Sequence, residues 1–115
     1  MISKTNPLYI KSDLLLKEIY ILVNSFPKYE MYGATSQIRR SALSIILNII
    51  EGFARQSPGE YRRFLLISFG SLKETQYLIE FAKDQNYIDE VSYLKTYKLS
   101  EEVSKILWSI IYSKN

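Results

Sequence analysis

Residues 41–55 read SALSIILNIIEGFAR. Strand alternation does not persist through this run, whereas helical geometry at about 100° per residue sorts it cleanly. Ala42, Ile45, Ile49 and Phe53 define one apolar face. Leu43, Ile46, Leu47, Ile50 and Ala54 cover most of the remaining circumference. With the residues before it, the run keeps one narrow polar sector, made of Gln37, Arg40, Ser44, Asn48, Glu51 and Arg55. An ordinary bundle helix buries a stripe about 100° wide, and this one carries more apolar surface than that. Two readings follow. In one, the helix lies in the middle of a compact monomer with long Tyr side chains over it. In the other, further copies of the chain cover it, since a bundle leaves every helix one outward side and large exposed apolar patches mark interfaces. The second is the expectation, with Ile46, Leu47 and Ile50 at the interface. Asn48 and Glu51 then form a structural polar stripe: Asn48 is placed to hydrogen-bond across the interface, and Glu51 to pair with Arg55 four residues on. The segment FLLISF at residues 64–69 repeats the apolar excess. Ser68, Ser71 and Thr75 follow on one face, small enough for another helix to approach closely.

Outward from this stretch, four glycines and three prolines fall mostly at boundaries, so the chain reads as a few long helices. Leu8, Leu15, Ile19, Leu22 and Phe26 share a face that Tyr9, Leu16, Tyr20 and Val23 widen. This spacing predicts a first helix over about residues 7–25, stopped at Pro27. After the link PKYEMYG, Thr35 or Ser36 is the candidate cap of a second helix over about residues 35–55. In ARQSPGEYRRF, Ser57 as N-cap, Pro58 at the first helical position and Glu60 form a capping box, opening a third helix over about residues 57–85. Asp89 caps a fourth over about residues 89–112, with Val91, Leu94, Val103, Ile106, Leu107, Ile110 and Ile111 on one broad apolar face. Short turns between long helices give an all-α, antiparallel up-down-up-down four-helix bundle. A length of 115 residues makes it one domain, residues 1–115.

Composition narrows function. The chain has no Cys and no His, which removes thiol nucleophiles, disulfides, the usual zinc ligands and the commonest general base. The expectation is a protein that is not an enzyme, with no catalytic residues, no metal, no cofactor and no small-molecule substrate. The N-terminal segment interrupts its apolar pattern with Lys11, Asp13, Lys17 and Glu18, so it has no continuous signal-peptide core. No run approaches the roughly 20 apolar residues of a bilayer crossing. A cytoplasmic protein with no membrane contact is expected.

A net charge of +3 is weak evidence by itself. The placement of cations is more informative. All five arginines, Arg39, Arg40, Arg55, Arg62 and Arg63, lie in one window, and all ten lysines lie outside it. Arginine's planar fork suits bidentate contact with phosphate or carboxylate. Arg55, Arg62 and Arg63 flank the turn between the second and third helices and form the candidate nucleic-acid-binding cluster. Arg39 and Arg40 stand some four turns away as secondary contacts or interface residues. The alternative is that these side chains only pair with Glu51, Glu60 and acidic residues of adjacent subunits. Tyr61 and Phe64 match core spacing better than a base-stacking platform. With no helix-turn-helix, zinc finger or glycine-rich phosphate loop, any RNA or DNA is expected to bind through its backbone.

SQIRR at residues 36–40, NIIEG at 48–52, EYRRFL from Glu60 and GSLKE from Gly70 occur in order, together with FPK from Phe26. This series resembles the bacterial four-helix-bundle family of proteins encoded in 23S rRNA intervening sequences, across nearly the whole chain. It is also similar to the accessory variability proteins of diversity-generating retroelements, whose basic barrels bind nucleic acid and a reverse transcriptase. The resemblance implies an antiparallel four-helix bundle assembled as a homopentameric ring. It leaves two functional expectations: weak binding of structured RNA or DNA through the repeated arginine cluster, or a protein-interaction module, such as an accessory to a reverse transcriptase. The family often reads S-I-P-x-N where this chain has Ser44-Ile45-Ile46-Leu47-Asn48, and loss of that Pro should straighten the helix.

Overall fold

Each helix starts where a side chain or a tight turn accepts amides that the first turn leaves free. The computed structural model describes residues 1–113, and its helices are α1 (Pro7–Leu22), α2 (Ala34–Phe53), α3 (Pro58–Asp84) and α4 (Glu90–Ile111). Asn6 caps α1 by accepting from the Leu8 amide at 2.9 Å, ahead of Pro7. Ser57 accepts from the Glu60 amide at 3.4 Å and Asp89 from the Ser92 amide at 2.7 Å. Only half of the expected capping box on α3 forms, because the Glu60 carboxylate takes the Arg63 Nε at 2.9 Å.

The start of α2 corrects the sequence reading. Neither Thr35 nor Ser36 is the cap; Gly33 holds that position, and Glu30 Oε1 accepts from the Ala34 amide at 3.0 Å. A 3-10 turn at Lys28–Glu30 sets the carboxylate there, while Thr35 is turned into the bundle and buried. Glu30 Oε2 also accepts from the Tyr87 hydroxyl at 2.7 Å, which lies 3.2 Å from the Tyr29 hydroxyl. The Ala34 amide and the Tyr87 hydroxyl hold the Glu30 carboxyl below the usual carboxylate range. One side chain thus ties the α1–α2 link to the α3–α4 turn. At that turn Asn86 adopts φ 60°, the Tyr87 amide donates to Ala82 O at 2.8 Å and the Asn86 amide to Lys83 O at 2.9 Å. This pairing is a Schellman close with Asn in place of the usual Gly.

Packing runs α1 on α2, α2 on α3, α3 on α4 and α4 on α1, most extensively between α2 and α3. With short connections that cycle is an antiparallel up-down-up-down bundle. Leu8, Leu15, Ile19, Ile38, Ile45, Ile49, Leu65, Leu72, Ile79, Val103 and Leu107 fill its axis, fully buried. Each such side chain is worth about 1.5–3 kcal/mol over leaving it exposed. Val91 and Leu94, assigned above to the apolar face of α4, are exposed. They lie roughly 120–180° around the helix from Val103 and Leu107, too far to share one buried face.

The seam between α2 and α3 accounts for the small residues. Ser68 Oγ donates to Ile45 O at 2.7 Å, Thr75 Oγ1 reaches Ser41 Oγ at 2.8 Å, and Ser44 and Ser71 hydroxyls lie 2.8 Å apart. Nearer one end, Gln37 Nε2 donates to Glu74 Oε2 at 2.8 Å. At the other, a Cβ on Gly52 would stand 3.2 Å from both Tyr61 O and Phe64 Cβ. The helix that the small face of α3 admits is therefore α2 of the same chain.

Candidate nucleic-acid interface

Because Gly52 lets α2 close on α3, the last turn of α2 delivers Arg55 beside the first turns of α3. Arg55 makes an ion pair with Glu51 at 2.7 Å, one helical turn back, and its guanidinium carbon lies 4.9 Å from the centre of the Phe64 ring. Arg63 pairs with Glu60 at 2.9 Å and lies 4.6 Å from the same ring. Two exposed guanidinium groups, one just past the end of α2 and one on α3, thus share one aromatic side chain. Each has five N–H donors, and its ion pair engages one nitrogen. Two carboxylates balance the two cations, so the site suits short-range fork contacts more than long-range attraction.

The remaining arginines go elsewhere. Successive helical residues diverge by about 100°, and Arg62 accordingly turns to α4. Its Nε donates to Ile111 O at 3.3 Å and its guanidinium lies 5.4 Å from the Tyr112 ring centre. The expected trio is a pair on Phe64 and a single cation on the α3–α4 side. Arg39 lies 5.8 Å from the Tyr20 ring centre, on the α1 side of α2. Arg40 is exposed. Fifteen positions separate Arg40 from Arg55, about 22 Å along the helix.

Among the positions expected at an interface, Ile46 needs correction: it is only 5% exposed within the chain's own bundle. Ser41 and Ile46 are both buried and lie roughly 140° apart on α2, so contact with both α1 and α3 hides a wider arc than a single stripe. Ile50 is half-buried, and the outward apolar remainder is Leu43 at 38% and Leu47 at 52% exposure. Asn48 Nδ2 donates to Ser44 O at 2.8 Å and Ser44 Oγ at 3.0 Å, back along its own helix and into the α2–α3 seam. Glu51 is exposed and serves Arg55. Phe64, read from spacing as core, is the site's organiser; its position next to Arg63 was the available signal.

The fold and these motifs define a four-helix-bundle class. Residues 4–109 match the 23S rRNA-intervening sequence protein family, and the chain belongs to that family. It is similar to a crystal structure of a protein of unknown function from the S23 ribosomal protein family of Bacteroides thetaiotaomicron. That similarity has TM-score 0.83 and 30% sequence identity, over 92% of this chain and 99% of that one. No curated protein matches the chain. With Ile46 and no proline at that position, α2 continues unbroken. Among the described residues, no helix is long and apolar enough to cross a membrane.

Proposed function

We propose that the chain acts without catalysis, as a homo-oligomeric bundle that holds the backbone of structured RNA or DNA. Arg55 and Arg63 make the principal contacts, with Arg62 flanking them from the α3–α4 side and Arg39 and Arg40 secondary. The observation carrying this reading is the convergence of two guanidinium groups on Phe64. A ring beneath each fork is worth about 0.5–1 kcal/mol at an exposed site and limits the freedom it loses on meeting a phosphate. Assembly, pentameric as the resemblance implies, is supported by Leu43 and Leu47, exposed one turn apart on the outer side of α2.

The test is binding of a hairpin RNA at two salt concentrations by wild type and an Arg55/Arg62/Arg63→Ala variant. Loss of affinity is expected, with a salt slope reduced by about 2–3 as three phosphate contacts vanish. An Arg55/Arg63→Ala variant keeps the Arg62 contact to α4 and should lose most of the same affinity. Equal binding by all three proteins overturns the site.

A protein-interaction role has its own support in Tyr29, Met31 and Tyr32, exposed together at the opposite pole. Tyr and Met are enriched at interfaces. A partner retained in pull-downs after nuclease treatment, and lost with Tyr32→Ala, favours that reading.

A further inference from the structure

Along the α3–α4 seam the antiparallel helices bring Arg62 level with Tyr112, Phe69 with Trp108 and Lys73 with Ser104. The Trp108 and Tyr112 ring centres lie 4.3 Å apart with planes tilted by 42°, and Phe69 lies 5.7 Å from Trp108. Trp108 is 54% exposed and Tyr112 50%, so neither ring is core. Cations bracket the row. The Arg62 guanidinium lies 5.4 Å from the Tyr112 ring centre, and the Lys73 ammonium lies 4.9 Å from that of Phe69. Lys73 is steadied by Gln76 Oε1 at 3.1 Å and Ser104 Oγ at 3.4 Å.

Scattered exposed apolar side chains are ordinary. A contiguous aromatic row with a cation at each end is a narrower pattern, and it matches a ligand with flat rings and spaced negative charges. We propose that this face is a stacking platform for unpaired bases of single-stranded nucleic acid, with Arg62 and Lys73 taking the flanking phosphates. Aromatic side chains stack on bases of any sequence but reach only those that are not already paired. The inference deepens the nucleic-acid reading while using a different face from the Arg55–Phe64–Arg63 site, with Arg62 at the edge of both.

Nearby charges set the limits of the platform. Beside Lys73, the shallow groove is also lined by Lys105 and Glu101, leaving cations in excess. Farther along, Tyr97 and Tyr93 form a separate pair 5.5 Å apart, among acids. The Tyr97 hydroxyl is pushed up to about 12, first by its hydrogen bond to Glu80, with burial and Glu101 adding to the shift. Lys83 there faces Glu90 at 3.9 Å. A polyanion is therefore accepted from Arg62 to Lys73 and not beyond.

Trp108 is the chain's one Trp, so its fluorescence reports the platform directly. The full chain is titrated with labelled oligothymidylate, an abasic strand of equal length and a blunt duplex, following label anisotropy and Trp emission. Oligothymidylate should quench Trp108 and bind more tightly than the abasic strand. Trp108→Ala, read by anisotropy, should weaken single-strand binding by about 5–150-fold for one stacked base while leaving duplex affinity unchanged. Trp108→Phe, which keeps a ring, should restore most of the loss and guards against a folding defect. Arg55/Arg63→Ala should reduce duplex binding and leave the quench. Equal affinity for thymidylate and abasic strands overturns the platform, as does saturation without quenching. So does an emission already blue-shifted and shielded from iodide by another copy. Duplex binding that survives these outcomes leaves the Arg55–Arg63 site standing.

Discussion

Gly52 and Gly70 form an internal control for the closeness of α2 and α3. Both lie inside helices, where replacing Gly by Ala stabilises by about 0.5–1 kcal/mol when nothing is in the way. A Cβ on Gly70 meets nothing within 4 Å. Gly70→Ala should therefore gain about that much. A Cβ on Gly52 would stand 3.2 Å from Tyr61 O and 3.2 Å from Phe64 Cβ, inside ordinary contact distance. One neighbour is backbone and the other is a Cβ, so the helices must separate by a few tenths of an ångström; such overpacking costs about 1–3 kcal/mol. The propensity gain offsets part of this, leaving Gly52→Ala about 0–2.5 kcal/mol less stable than wild type. The difference between the two variants should be about 1–3 kcal/mol. Urea melts followed by helical circular dichroism, at one protomer concentration for all proteins, measure it. Because Gly52 touches the residue that carries both guanidinium groups, Gly52→Ala should also weaken RNA binding, and Gly70→Ala should not. If Gly52→Ala stabilises as much as Gly70→Ala, the close approach of α2 and α3 is wrong.

Four further outcomes are expected. Arg55→Ala and Arg63→Ala each break an exposed ion pair at its own helix turn and should cost less than about 1 kcal/mol in a melt, so their binding loss is not unfolding. Acid sensitivity should trace to Glu30, Asp89 and Glu102, all held below the usual carboxylate range, Asp89 chiefly by the Ser92 amide and Glu102 by the Lys11 ammonium. A depressed folded pKa gives stability that is present above the ordinary carboxylate value and lost as pH falls through the folded one. Glu30→Gln with Asp89→Asn should thus flatten the acid limb of a stability–pH curve, and an unchanged limb counts against these caps. Leu43→Asp with Leu47→Asp should leave a folded chain sedimenting at 13.5 kDa, while wild type sediments at a multiple of it. Ile46→Asp should unfold the chain instead, since Ile46 is inside.

Features written in neighbouring residues were legible in the sequence. Ser57 followed by Pro58, and Asp89 ahead of an apolar run, declare helix starts because capping is a contact across three residues. The cap of α2 was hidden because Glu30 reaches Ala34 only after an intervening turn folds back. The apolar excess of α2 was visible, but its destination was not. Ile46 lies inside because two neighbouring helices hide a wide arc, and periodicity cannot count neighbours. The arginine window was equally plain, yet proximity in sequence joined residues that helix geometry separates, sending Arg62 to Tyr112 and Arg63 to Phe64. Pairing of Trp108 with Phe69 depends on the register of α3 against α4, which no local pattern encodes.

The most direct test removes the shared ring and leaves every charge in place. Phe64→Leu is an apolar exchange at a half-buried position, costing under about 1.5 kcal/mol of stability. Without a face that orders Arg55 and Arg63 before they meet RNA, each fork must be immobilised on binding at about 0.5–1.5 kcal/mol, so affinity for a hairpin RNA, measured by anisotropy at fixed salt, should fall about fivefold to 150-fold. Wild-type affinity in the folded Phe64→Leu protein would show that the two guanidinium groups owe nothing to the ring, and would contradict the site.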